Sequence, residues 1–172
     1  MTLSEVAIYY ALLVGLGIGG GIYVSGRLVD RLVPRSKLAY AYIPAIGLAL
    51  AVPFFIGFIW APSWQLALLF LIVPMALNYF YLSPAVTLVQ QEVQPNQRVL
   101  AGALLLLVMN LIGLGLGPTF LGAVSDAFKS SHPGNSLQMA FYTLVPFYLV
   151  AIALFLALAR ALKREDGNGV SV

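Results

Sequence analysis

The sequence predicts an all-α integral membrane protein with about five transmembrane helices, and three observations carry that prediction. Only 9% of its 172 residues are charged and 61% are hydrophobic, whereas roughly one-quarter of an ordinary soluble domain is charged. The apolar residues gather into five stretches, each close to or above the ~20 residues that a helix needs to cross a hydrocarbon core of about 30 Å. Every gap between the stretches carries Pro, Gly or clustered polar residues, the chemistry of turns. A soluble fold of this length would still expose roughly a third of its unfolded-chain surface. That is too much to hide so apolar a chain, so lipid has to cover the rest.

The first span, 6–28, gives way to Arg31-Leu-Val-Pro-Arg-Ser-Lys37, where Pro34 cannot continue a helix. The second, 38–60, stops at Ala61-Pro-Ser-Trp64, and the third, 65–90, at Gln91-Glu-Val-Gln-Pro-Asn-Gln97. The fourth, 98–124, runs into the polar stretch from Asp126 to Ser136, and the fifth, 137–161, completes a transmembrane bundle over 1–162. Residues 163–172 begin Lys-Arg-Glu-Asp-Gly-Asn-Gly, too polar to bury, and read as a disordered cytoplasmic tail.

Several function classes drop out on composition. There is no Cys, which removes disulfides, thiolate nucleophiles and Cys-ligated metals. The one His, His132, sits in the polar run Lys129-Ser-Ser-His-Pro-Gly-Asn135 and reads as a solvated loop residue. No metal, no cofactor and no catalytic residue is therefore expected. The formal charge of +3 comes from nine basic residues scattered between apolar spans, not the clustered stripe that nucleic acid requires. Gly15, Gly17 and Gly20 match G-x-G-x-x-G. The dinucleotide fingerprint, however, needs a strand before it and an acidic residue about 20 positions after it, and these glycines lie inside an apolar helix. An intramembrane enzyme would need carboxylates, a Ser/His pair or metal ligands at depth, and no such set is present.

Basic residues set the expected orientation, because Lys and Arg near span ends stay on the cytoplasmic side. Arg27, Arg31, Arg35, Lys37, Arg98, Arg160, Lys163 and Arg164 lie at the first loop, the third loop and the tail, and Lys129 alone lies elsewhere. The amino terminus is thus expected outside and the carboxyl terminus in the cytoplasm. The first span has neither the basic start nor the cleavage site of a signal peptide, so one leading helix is expected to be missing upstream.

An internal repeat fits that expectation. Gly15-Leu-Gly17-Ile-Gly19 followed by Gly26-Arg-Leu-Val-Asp30 recurs, in type, as Gly113-Leu-Gly115-Leu-Gly117 followed by Gly122-Ala-Val-Ser-Asp126. The copies stand three helices apart, so the second is inverted across the membrane, as in three-plus-three inverted repeats. The pairs Gly15 with Gly19, Gly17 with Gly21, and Gly113 with Gly117 have the spacing that brings helix backbones into close approach.

The run Gly26-Arg27-Leu28-Val29-Asp30-Arg31-Leu32-Val33-Pro34-Arg35 resembles the cytoplasmic loop motif of the major facilitator superfamily, written G-x-L-A-D-R-x-G-R-R/K. It matches at Gly26, Leu28, Asp30 and Arg31, and departs at Val33, with the next basic residue displaced to Arg35. The segments Leu82-Ser-Pro-Ala, Gln90 to Arg98, Asn110 to Pro118 and Gly122 to Asp126 look like the last three helices of Spinster-like members. The resemblance implies the last five helices of such a transporter, most of its carboxy-terminal six-helix bundle. It also implies that Gly26, Asp30, Arg31 and Arg35 form a gating loop.

Polar residues inside the spans are the candidates for a solute path. Asn78, Tyr79, Tyr81 and Asn110 are the best placed, since the family sets the third and fourth spans at its central cavity. Asn can also bridge helices, and Tyr is common at membrane interfaces. Glu5, Asp30, Glu92 and Asp126 all fall near span ends, so a mid-membrane coupling carboxylate is not expected. The function expected is transmembrane transport of a small organic or amphiphilic solute by alternating access, with this chain a fragment inactive alone. The alternative is a non-transporting structural remnant or subunit. The expected partners are the lipid bilayer, a small-molecule substrate, and a missing amino-terminal half or a second copy of the chain.

Overall fold

The structure, a computed structural model, describes residues 3–167, and their side chains over 7–164. The described residues form helices joined by short turns: α1 (Leu3–Leu32), α2 (Ala39–Trp60), α3 (Trp64–Asn78), α4 (Leu82–Gln91), α5 (Arg98–Asn110), α6 (Gly117–Phe128), α7 (Ser136–Tyr142) and α8 (Val145–Gly167). A 3₁₀ turn, Tyr79–Tyr81, links α3 to α4, another, Pro95–Gln97, precedes α5, and a π-helical segment, Leu111–Leu116, joins α5 to α6. Five helical runs are long and apolar enough to cross a membrane: Ala7–Leu32, Ala39–Trp60, Trp64–Gln91, Pro95–Phe128 and Ser136–Arg164. The chain divides into two compact units, one made of residues 1–85 and 148–172, the other of 86–147.

In the first unit, α3 packs between α1 and α2. Burial on α2 repeats with helical period at Ala41, Ala45, Leu48, Ala51, Phe55 and Ile59, whereas the stripe Tyr42, Ile46, Leu50 and Phe54 is exposed. Both faces are apolar. A helix that is hydrophobic all round belongs in a large core or in a bilayer, and the exposed apolar stripe of α2 suits such surroundings. Gly47 and Gly57 let α2 come close to Phe80 and Phe70, since a Cβ added at them would lie 3.0 and 2.9 Å from those side chains.

Turn chemistry sets the ends. Pro34 follows α1, whose last carbonyls, Val29 and Leu32, are taken by the amides of Val33, Arg35 and Ser36. Gln94 is extended with ψ 150° before Pro95, as the residue before a proline prefers. In the second unit α6 and α7 meet where the buried hydroxyls of Ser125 and Ser136 lie 3.4 Å apart, and the rings of Phe120 and Phe147 pack edge to face at 5.5 Å.

At the carboxyl end, α8 continues through Lys163 to Gly167. The disordered tail expected from residue 163 is therefore helical over 163–167, while 168–172 lie outside the described residues. Basic side chains in a last helical turn complement the negative end of the helix dipole, and Leu162 is buried at 5% exposure; both favour continuation.

Candidate functional site

The third span is broken at its polar centre. Asn78 ends α3 and Tyr79–Tyr81 form the 3₁₀ turn, with the rings of Tyr79 and Tyr81 stacked at 6.4 Å. Two prolines flank the break, Pro74 inside α3 and Pro84 inside α4. Each removes one helical amide and frees the carbonyl four residues earlier. The carbonyl freed by Pro84 is that of Phe80, and the hydroxyl of Ser25 on α1 donates to it at 2.7 Å. Ser25 is fully buried, so one small side chain satisfies the helix's missing bond across the α1 interface.

Asn78 makes the central polar contact. Its Nδ2 donates to the Tyr148 hydroxyl on α8 at 2.8 Å, and the Tyr148 ring packs against Phe55 of α2 at 5.4 Å. The Asn78 Oδ1 is buried without a hydrogen-bond donor. In hydrocarbon an unpaired acceptor is costly, which sets this atom apart among the buried side-chain polar atoms of the described residues. Asn78, Tyr79 and Tyr81 thus lie together at one break. Asn110 belongs to the second unit, where its Nδ2 donates to the Leu106 carbonyl on its own helix at 2.7 Å.

Asp30, Arg31 and Arg35 are all exposed at the α1–α2 turn. Among the described residues the ion pair recorded is Lys129 with Asp126, at 2.7 Å, so neither Asp30 nor Arg31 is held by a partner there. Gly26 is half-buried, with Ser83 Oγ at 3.6 Å from where a Cβ would stand. Arg27 lies over the Tyr23 ring at 5.0 Å.

The glycines separate sharply. A Cβ at Gly17 would stand 3.1 Å from the Met75 Cβ, and one at Gly21 would overlap the Ala76 backbone. Around Gly15, Gly19, Gly113, Gly115 and Gly117 such an atom would meet nothing within 4 Å. The close-approach face of α1 is therefore Gly17, Gly21 and Ser25, spaced four apart, one side of the helix. Gly113 and Gly115 lie in the π-helical segment, where Thr119 Oγ1 donates to the Gly115 carbonyl at 3.1 Å.

Sequence reasoning passed over Ser25, Tyr148 and the dominance of Gly21. Ser25 had a signal, because it continues the four-residue spacing of Gly17 and Gly21. Tyr148 had only its hydroxyl in an otherwise apolar run. No group of three or more His, Asp or Glu able to hold a metal occurs among the described residues.

Five apolar helical runs, one of them broken around a polar pair, define a multi-pass membrane protein. No family model matches the chain. It is 30% identical over 166 residues to an MFS-type efflux pump of Mycolicibacterium smegmatis, a match that covers 96% of this chain and 38% of the pump. Its fold is similar, with a TM-score of 0.82 and 25% identity, to the crystal structure of a bacterial homologue of the human lysosomal transporter Spinster in an inward-facing, unoccupied conformation. That match covers 96% of this chain and 42% of the homologue. Over nearly its whole length the chain is thus similar to transporters of the major facilitator type, with a Spinster homologue among its structural relatives, and it spans about two-fifths of the length of these relatives.

Proposed function

We propose that this chain forms the last five helices of a major facilitator secondary transporter that moves a small organic or amphiphilic solute by alternating access. The observation that carries this reading is the Asn78–Tyr148 pair at 2.8 Å, near the middle of two spans, with the Asn78 amide oxygen buried without a hydrogen-bond donor. Polar groups at membrane depth mark solute paths when they face a partner or cavity. Tyr79 and Tyr81 belong to the same proposed path, and Asn110 is proposed, within its own unit, as a cavity-lining residue. Alternating access needs two bundles rocking about a shared site, so the chain is inactive alone and works with a further bundle or a second copy. Gly113, Gly115 and Gly117, open in this chain, form the surface on which that bundle packs. The exposed Asp30, Arg31 and Arg35 pair with it across the cytoplasmic face of the cell membrane during gating.

The test has two arms. The purified chain in proteoliposomes, given a proton gradient and a panel of lysolipids, drugs and sugars, is expected to transport nothing; saturable uptake abolished by Asn78→Ala would overturn the need for a further bundle. A chimera in which the chain replaces the matching segment of the M. smegmatis pump is expected to export solute. There Asn78→Leu is expected to lower transport by at least about tenfold, the equivalent of ~1.4 kcal/mol of lost interaction. Unchanged transport in that variant would remove Asn78 from the path.

A further inference from the structure

A cavity of the first unit lies beside the α1–α2 turn and reaches the break in the third span, where Leu77 and Phe80 line it. It is an open groove of about 460 Å³ between the α1–α2 turn and the outward face of α2. Leu32, Ile43, Ile46 and Leu50 line its walls, and Arg35 and Ser36 stand where it meets the turn. From Ala39 to Leu50 the helix rises ~16 Å at 1.5 Å per residue. One leaflet of hydrocarbon is about half of the ~30 Å core, or ~15 Å. The groove therefore runs from the end of a span to the depth that an acyl chain reaches.

Its charge is confined to one end. Arg35 is exposed and no carboxylate among the described residues pairs with it, the recorded ion pair being Asp126 with Lys129. The turn as a whole is basic, with Arg31, Arg35 and Lys37 against Asp30. A guanidinium gives a fork of donors suited to phosphate oxygens, and basic pockets at the ends of membrane helices hold anionic head groups. Apolar walls of acyl-chain length below a single free guanidinium match one molecule in both halves.

We propose that this groove is a binding site for an anionic phospholipid, its phosphate on Arg35 and one acyl chain along Ile43, Ile46 and Leu50. Neither a zwitterionic lipid nor a free phosphate fits both parts: the first lacks the net charge, and the second leaves the apolar walls empty. The lipid occupies the groove beside α2, and its head group engages Arg35 when that residue is not paired with the further bundle.

Native mass spectrometry of the purified chain tests this, in neutral detergent with an equimolar mixture of phosphatidylglycerol and phosphatidylcholine of identical chains. Phosphatidylglycerol is expected to be retained about fivefold more, the preference that one basic residue near the head group provides. Arg35→Gln is expected to abolish that preference, and Ile46→Trp, which fills the groove, to reduce retention of both lipids. Equal retention of the two lipids by the wild type overturns the proposal. So does an equal loss on Lys37→Gln, which would trace the preference to loop charge, and so does displacement of the lipid by millimolar inorganic phosphate.

Discussion

Ser25 shows how a single side chain supports a broken helix. Pro84 leaves the Phe80 carbonyl without its helical amide, and the Ser25 hydroxyl supplies the missing donor at 2.7 Å. In lipid no water is available to substitute, so the partnership carries a testable coupling. Ser25→Ala is expected to cost ~1 kcal/mol, within the range of interhelical hydrogen bonds in membranes. In a Pro84→Ala background, where residue 84 regains an amide for Phe80, the same substitution is expected to cost little. Thermal unfolding in detergent of the four variants closes the cycle. An equal loss in both backgrounds would mean that Ser25 acts by packing alone. The Asn78–Tyr148 pair belongs to the same scale but was not legible in the sequence, since its partners are 70 residues apart and no spacing rule joins two different helices. Asn78 alone could be singled out, as a polar residue in an apolar run.

Between elements, the glycine-rich segment of α1 was legible as a packing helix, but which side packs was not. Five of the seven residues from Gly15 to Gly21 are glycine, so the spacing admits more than one face; the third span selects one by placing Met75 and Ala76 against Gly17 and Gly21. That selection separates neighbouring substitutions. Gly21→Ala adds one methyl where the Ala76 backbone already stands, and overpacking of this kind costs about 1–3 kcal/mol. Gly19→Ala meets open space and is expected to be neutral or to stabilise by up to ~1 kcal/mol through the lower helix cost of Ala. Gly115→Leu, equally open, is expected to leave the melting of the isolated chain unchanged. Melting temperatures in one detergent rank the three, and Gly21→Ala melting with the wild type would remove the close-approach reading of α1. The π-helical segment Leu111–Leu116 had no sequence signal beyond its glycines and the following Pro118, which withdraws an amide from the fourth span.

For the whole molecule, the number of membrane-crossing helices was the most legible property, because hydropathy over some twenty residues outweighs every local propensity and the prolines only mark where the helices turn. Orientation rests on charge. Eight of the nine basic residues lie on the side of the first and third loops and the tail, and moving that many cations across a bilayer would oppose insertion the other way round. The expected topology has the amino terminus outside and α8 ending in the cytoplasm. Lys129 and Lys163 are well suited to test it: both are exposed, they flank the fifth span, and the chain contains no Cys to give background labelling. Replacing Lys129 breaks its pair with Asp126, but that pair is 65% and 69% exposed and such surface pairs add little to stability. In intact cells a membrane-impermeant maleimide is expected to label Lys129→Cys at once and Lys163→Cys only after permeabilisation. The reverse pattern would invert the bundle, and with it the placement of Arg31 and Arg35 on the cytoplasmic face that the gating proposal requires.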